Sequence, residues 1–196
     1  MNFSPDNLYH IYNQGNNRQE IFSCNEEYKF FLNLIRENIK PNAEVISWCL
    51  MPNHFHIMVY TDERILDLKK QGGLVIDSLT NGIRKLLSGY ARIYNSRHNQ
   101  SGSLFRQKTK SKCLSETASK MNTQQDYYFN CFHYIHQNPL IANLVKKLED
   151  WDFSPFKDYA GLRNGTLCNK LLVAKFCSYE MTTFIRTSYQ IIDGFE

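Results

Sequence analysis

Apolar positions recur along this chain with two periods. Residues 25–40 place Tyr28, Phe31, Leu32, Ile35 and Ile39 at helical spacing, with Glu26 and Glu27 in the first turn, where the helix dipole favours negative charge. After the break at Pro41, "EVISWCLM" is a continuous apolar run of strand length, "PN" is a turn, and "HFHIMVYT" alternates as the returning arm of a hairpin. Upstream, "LYHIYNQGNN" starts as an alternating strand and ends in a Gly and Asn turn signal. Leu79, Ile83, Leu86, Leu87, Tyr90, Ile93 and Tyr94 make a second helical stripe and predict a helix over about 75–96. "LFRQKTKSKCL" reads as a strand with Lys108, Lys110 and Lys112 on one wet side. A third helix is predicted over about 123–137, ending at Asn138 because the residue before a proline, here Pro139, is pushed out of the α region.

Strand, helix, strand, strand, helix, strand is the βαββαβ order of a ferredoxin-like α+β fold, an antiparallel sheet with helices on one face. The third helix and "DWDFSPFKDY" follow that unit. We expect residues 1–160 to form one domain and residues 161–196 an extra C-terminal helical tail of unassigned role.

Composition narrows the classes. Hydrophobic residues at 42% and charged residues at 21% fit a folded, soluble chain and exclude a disordered one. No apolar run approaches the roughly 20 residues of a membrane span, and the start lacks a leader pattern, so a cytoplasmic protein without a membrane partner is expected. The six cysteines include no C-x-x-C pair, which favours buried free thiols over disulfides or a zinc knuckle. The net charge of +4 is modest, but residues 78–115 contain no Asp or Glu while carrying Arg84, Lys85, Arg92, Arg97, Arg106, Lys108, Lys110 and Lys112. Such a segment makes either a phosphate-attracting face or a solvated helix face.

The hairpin holds an unusual pair. In a strand His54 and His56 share one side, with Phe55, Ile57 and Val59 on the other, and residues two apart stand about 6.5–7 Å from each other. That spacing lets two imidazoles converge on one metal ion, although a pair of half-buried, hydrogen-bonded histidines fits the same pattern. "FHYIHQNPL" adds Tyr134 and Asn138 at i, i+4 on one helix face. The Asn138 carbonyl suits Mg2+ or Mn2+, and the Tyr134 phenol becomes a competent nucleophile toward a phosphate polarised by a divalent ion. Tyr134 could instead be one ring of a crowded aromatic helix; His133 and His136 beside it could serve as general bases or extra ligands, but solvated helix histidines are the commoner case, and both stay outside the site assignment.

"MPNHFHIMV" resembles the His-hydrophobic-His (HUH) signature of the single-tyrosine transposases, and "YIHQNP" resembles their tyrosine helix. "NLYHIYNQGNNRQEIF", "SGSLFRQKTKSK", "YIHQNPLIANLV" and "DWDFSPFKDY" are similar, in order, to segments of the REP-associated tyrosine transposase branch, over roughly residues 7–159. Lys108 stands where that branch usually has arginine. The resemblance implies a ferredoxin-like HUH endonuclease-ligase for hairpin-bearing single-stranded DNA, dependent on a divalent metal. Its ligands would be His54, His56 and Asn138, and its nucleophile Tyr134, forming a 5′-phosphotyrosine. Arg84, Lys85, Arg92, Arg106, Lys108, Lys110 and Lys112 are the candidate DNA-backbone contacts. A domesticated hairpin binder without cleavage is the alternative, and a homodimer, with the tyrosine working in its own subunit or across, is left open.

Overall fold

The structure, a computed structural model, describes residues 1–121 and 124–190. Six strands and seven helices are seen there: β1 (Asn7–Gln14), α1 (Asn25–Asn38), β2 (Glu44–Met51), β3 (His54–Thr61), β4 (Lys69–Gln71), β5 (Leu74–Ile76), α2 (Ser78–Arg97), β6 (Lys110–Cys113), α3 (Leu114–Met121), α4 (Gln124–Ile141), α5 (Phe156–Tyr159), α6 (Lys170–Cys177) and α7 (Met181–Ser188). β2, β3, β1 and β6 form one antiparallel sheet in that order, which is the strand order of a βαββαβ unit, so the fold is α+β.

The alternation along β1 and β3 divides the core. Tyr9, Ile11, Phe55, Ile57 and Val59 face α1 and α2, where they bury Phe31, Ile35, Leu79, Ile83, Leu86 and Tyr90. These are the two helices of the unit, on one face as expected. They cross closely because residue 82 is glycine: a Cβ there would stand 2.1 Å from the Asn38 carbonyl oxygen. The opposite face is covered as well. Leu8, Ile46, Cys49 and Met58 pack under Cys131, Phe132 and Ile135 of α4, with Phe156, Tyr159, Val173, Cys177 and Phe184 of α5, α6 and α7 completing a second core. The C-terminal segment is thus built into the molecule, a role that its mixed pattern did not reveal.

Several boundaries differ from expectation. α2 starts at Ser78 rather than near 75, because Asp77 accepts the Thr80 amide at 2.6 Å as N-cap while Val75 and Ile76 pair in the β4–β5 hairpin. The strand expected over 104–114 is regular only from Lys110, with one bridge from Phe105 to Gly15. Between them the chain is held away from the ladder by the Asn13 side chain, whose Nδ2 donates to Arg106 O and Thr109 Oγ1. Thr123, the expected start of the third helix, lies outside the described residues.

The end of that helix is a correction: α4 continues through Pro139 to Ile141. Proline removes the amide that would satisfy the Ile135 carbonyl. The turn survives because the Asn138 side chain bends back, Nδ2 donating to Tyr134 O at 2.8 Å and lying 3.5 Å from Ile135 O. The helix then closes with Ala142 N donating to Asn138 O and Asn143 adopting a left-handed conformation. No described helix is long and apolar enough to cross a membrane.

Candidate active site

Among the described residues, the second face of the sheet is covered at one end. Leu8 and Met58 lie under α4, but farther along the same side of β1 and β3 the residues are His10, Tyr12, His54 and His56, and they floor an open cleft of about 570 Å³. Antiparallel pairing places Tyr12 opposite His56, Gln14 opposite His54, and on the other side Lys110 opposite Tyr12 and Lys112 opposite His10. Residues directly opposite in such a ladder share a face, so two lysines of β6 reach the cleft beside the histidines.

α4 forms the wall. Its i, i+4 spacing turns Tyr134 and Asn138 to the cleft while Cys131 and Ile135 stay buried against the sheet. Tyr134 is half-buried, and its ring stands edge-on to His56 at 5.8 Å and to His10 at 6.3 Å between centroids. His54 and His56 are perpendicular, 5.1 Å apart. One chain therefore brings two imidazoles, a carboxamide and a phenol to one place.

Hydrogen bonds orient the donors. His54 Nδ1 lies 2.6 Å from Asn53 Oδ1, and His56 Nδ1 lies 2.9 Å from His10 Nε2. Where Nδ1 carries the proton, Nε2 is the nitrogen each ring offers a metal. Asn138, with its nitrogen committed to the helix backbone, has Oδ1. Among the described residues no group of three or more His, Cys, Asp or Glu side chains could hold a metal ion; beside the two imidazoles the cleft offers the Asn138 amide oxygen. Two imidazoles and one amide oxygen fit an ion that completes its sphere with phosphate and water oxygens. Burial and the facing Lys112 hold His10 neutral, its pKa lowered to about 3; burial, then His10 and His54, push His56 well below the ordinary range.

The rim is basic. Arg106, Lys108, Lys110 and Lys112 line the cleft, as does Arg18 from the loop after β1. That loop is drawn tight: Gly15 N donates to Asn53 O, a Cβ on Gly15 would meet Gln19 O at 2.1 Å, and Asn17 and Arg18 are both left-handed. Arg84 lines a neighbouring groove of about 830 Å³ that shares Asn13, Arg106, Lys108 and Lys110 with the cleft. Lys85 and Arg92 are exposed on α2 and line neither. His133 and His136 are not solvated; both are buried in the second core, His133 Nδ1 2.9 Å from Ser188 Oγ and His136 Nε2 3.4 Å from Ser47 Oγ. His10 and Arg18 are the members that sequence reasoning missed. His10 does share an alternating face with Tyr12, but only the strand register sets it beside His56.

No family model matches the chain, and no curated protein matches it. Among solved structures its fold is similar to that of a REP-associated tyrosine transposase bound to a REP hairpin, with a TM-score of 0.54 and 18% identity over 86% of this chain and 92% of that one.

Proposed function

We propose that the chain is a single-tyrosine HUH transposase of the REP-associated type, which cuts and rejoins hairpin-bearing single-stranded DNA. The observation that carries the reading is the meeting of His54, His56, Asn138 and Tyr134 in one cleft with a rim of lysines and arginines. The fold likeness to a transposase solved with a hairpin supports the substrate class.

The basic rim seats the strand by its phosphates, and the loop that carries Arg106 and Lys108 is tied to β1 by Asn13 Nδ2, which donates to Arg106 O and Thr109 Oγ1, and by Arg106 N, which donates to Gln14 O. His54 and His56, through Nε2, and Asn138, through Oδ1, would hold a divalent ion, Mg2+ or Mn2+, which would supply charge neutralisation and polarisation of the scissile phosphate. Tyr134 Oη attacks phosphorus; the P–O3′ bond breaks, the 5′-phosphate becomes esterified to tyrosine, and the 3′ oxygen leaves as a hydroxyl, balancing the proton lost by the phenol. The bond energy is kept in the phosphotyrosine, so rejoining is the same exchange with another 3′-hydroxyl. Tyr134 serves its own chain in this reading, residues 1–160 carry the chemistry, and residues beyond 160 brace α4.

The test is a hairpin-bearing single strand labelled at its 3′ end, incubated with Mn2+ and run on a denaturing gel. The wild-type protein should migrate covalently joined to the labelled fragment. Tyr134→Phe should lose the adduct while keeping hairpin affinity within about threefold, since only a hydroxyl is removed. Cleavage without adduct in the wild type indicates water as nucleophile, and binding without any cleavage indicates a domesticated binder.

A further inference from the structure

We propose that His10 is a positioning residue for the metal-binding pair: by accepting the Nδ1 proton of His56, it fixes that ring as the tautomer whose Nε2 lone pair is presented to the cleft. The inference rests on the reading of His56 as a ligand given above.

A neutral imidazole has one N–H, and a ring that offers Nε2 to an ion must carry its proton on Nδ1. In His56 that atom lies 2.9 Å from His10 Nε2. The ring centroids stand 5.1 Å apart with 23° between their planes, which lets the in-plane N–H of one ring meet the in-plane lone pair of the other. Both are buried, 4% and 7% exposed, which leaves little room for water to replace the acceptor. Their backbones belong to the paired strands β1 and β3, where Met58, two residues beyond His56, is the partner of His10. The contact is therefore a diagonal one, set by the register of the sheet.

The choice of acceptor has a chemical consequence. A carboxylate behind a ligating histidine raises its basicity and partly neutralises the ion, whereas an imidazole orients the ring without adding charge. His54 is arranged alike, with the uncharged Asn53 Oδ1 behind it. An ion between these two rings keeps its charge for the phosphate. A carboxylate at position 10 would also engage Lys112, its neighbour across the ladder, and draw it from the incoming strand.

Two measurements on the full chain test the assignment. Long-range 1H–15N NMR of the metal-free protein reads the tautomer directly: His56 should carry its proton on Nδ1, and His10→Leu should release it to a mixture dominated by the Nε2–H form. Mn2+ affinity, followed by EPR, should fall about 10- to 100-fold in His10→Leu and return most of the way in His10→Gln, whose carbonyl can accept the same proton. A wild-type His56 protonated on Nε2, or a folded His10→Leu protein that keeps both tautomer and affinity, overturns the assignment. If His10→Leu does not fold, the wild-type tautomer and the Mn2+ affinity of His10→Gln decide it. A wild-type protein that shows the expected tautomer but takes up no Mn2+ overturns the ligand reading of His54 and His56 instead, and the purpose given to His10 with it.

Discussion

Asn138 Nδ2 donates to the carbonyl oxygen of Tyr134 at 2.8 Å, so the two cleft-facing side chains of α4 are joined through the backbone of the same turn. The bond does two jobs: it steadies a helix weakened by Pro139, and it turns the amide oxygen outward. Asn138→Ala should cost about 1 kcal/mol of stability and weaken Mn2+ binding. Asn138→Asp should separate the two roles, retaining an oxygen for the ion while setting a second acceptor against the Tyr134 carbonyl. Its melting temperature should drop while Mn2+ affinity holds or rises. Unchanged Mn2+ binding in Asn138→Ala would remove this residue from the ligand set.

The cations divide into those that line the cleft and those that do not. Each phosphate contact contributes roughly 0.7–0.9 to the slope of log affinity against log salt. Arg106→Ala and Lys108→Ala should each flatten the hairpin-binding slope by about that amount between about 50 and 200 mM salt, while Lys85→Ala and Arg92→Ala should leave it unchanged. An equal loss in Lys85→Ala would move the DNA path to the far side of α2.

Acid should destabilise the protein through its buried histidines. Desolvation lowers the pKa of His133 from 6.5 to about 4 and pushes His136 well below its ordinary value. Between those values and 6.5 the unfolded chain binds protons that the folded one does not, so stability is complete above about pH 6.5 and is lost as pH falls, by roughly 1.4 kcal/mol per pH unit for each such group. Urea midpoints taken with chelator present should drop from pH 8 to 5.5, and less steeply in His133→Gln, which keeps a partner for Ser188. A flat profile would contradict the burial of these rings.

α7 should act as a brace. Phe184 is 2% exposed and packs on Phe132 and His136 of α4 at 5.9 and 5.5 Å between ring centroids. Phe184→Ala should cost roughly 3–5 kcal/mol and about 10 °C in melting temperature. Adduct formation per folded molecule should persist at low temperature, because the ring does not line the cleft. An unaltered melting temperature would mean that α7 is not seated on α4.

What could be read from the sequence was whatever local periodicity encodes. The hairpin of β2 and β3, the stripes of α1 and α2 and the i, i+4 pair on α4 all follow from spacing within one element. His10 could not be read, since its meaning depends on which residue of β3 stands beside it, and register is a non-local property. The passage of α4 through Pro139 was hidden for a different reason: a side chain, Asn138, supplies the cover that the rule for prolines assumes to be missing. Lys85 and Arg92 belong to the same acid-free segment as Arg106, yet helix phase and a loop staple send them to different surfaces.

The histidines occupy β1 and β3, the inner pair of the four strands, each flanked by a hydrogen-bonded neighbour on both sides. A strand in that position opens only when the whole sheet does. The imidazole side of the cleft is therefore its fixed wall; if the chain cuts and seals DNA as proposed, the motion between the two steps falls to α4 or to the nucleic acid.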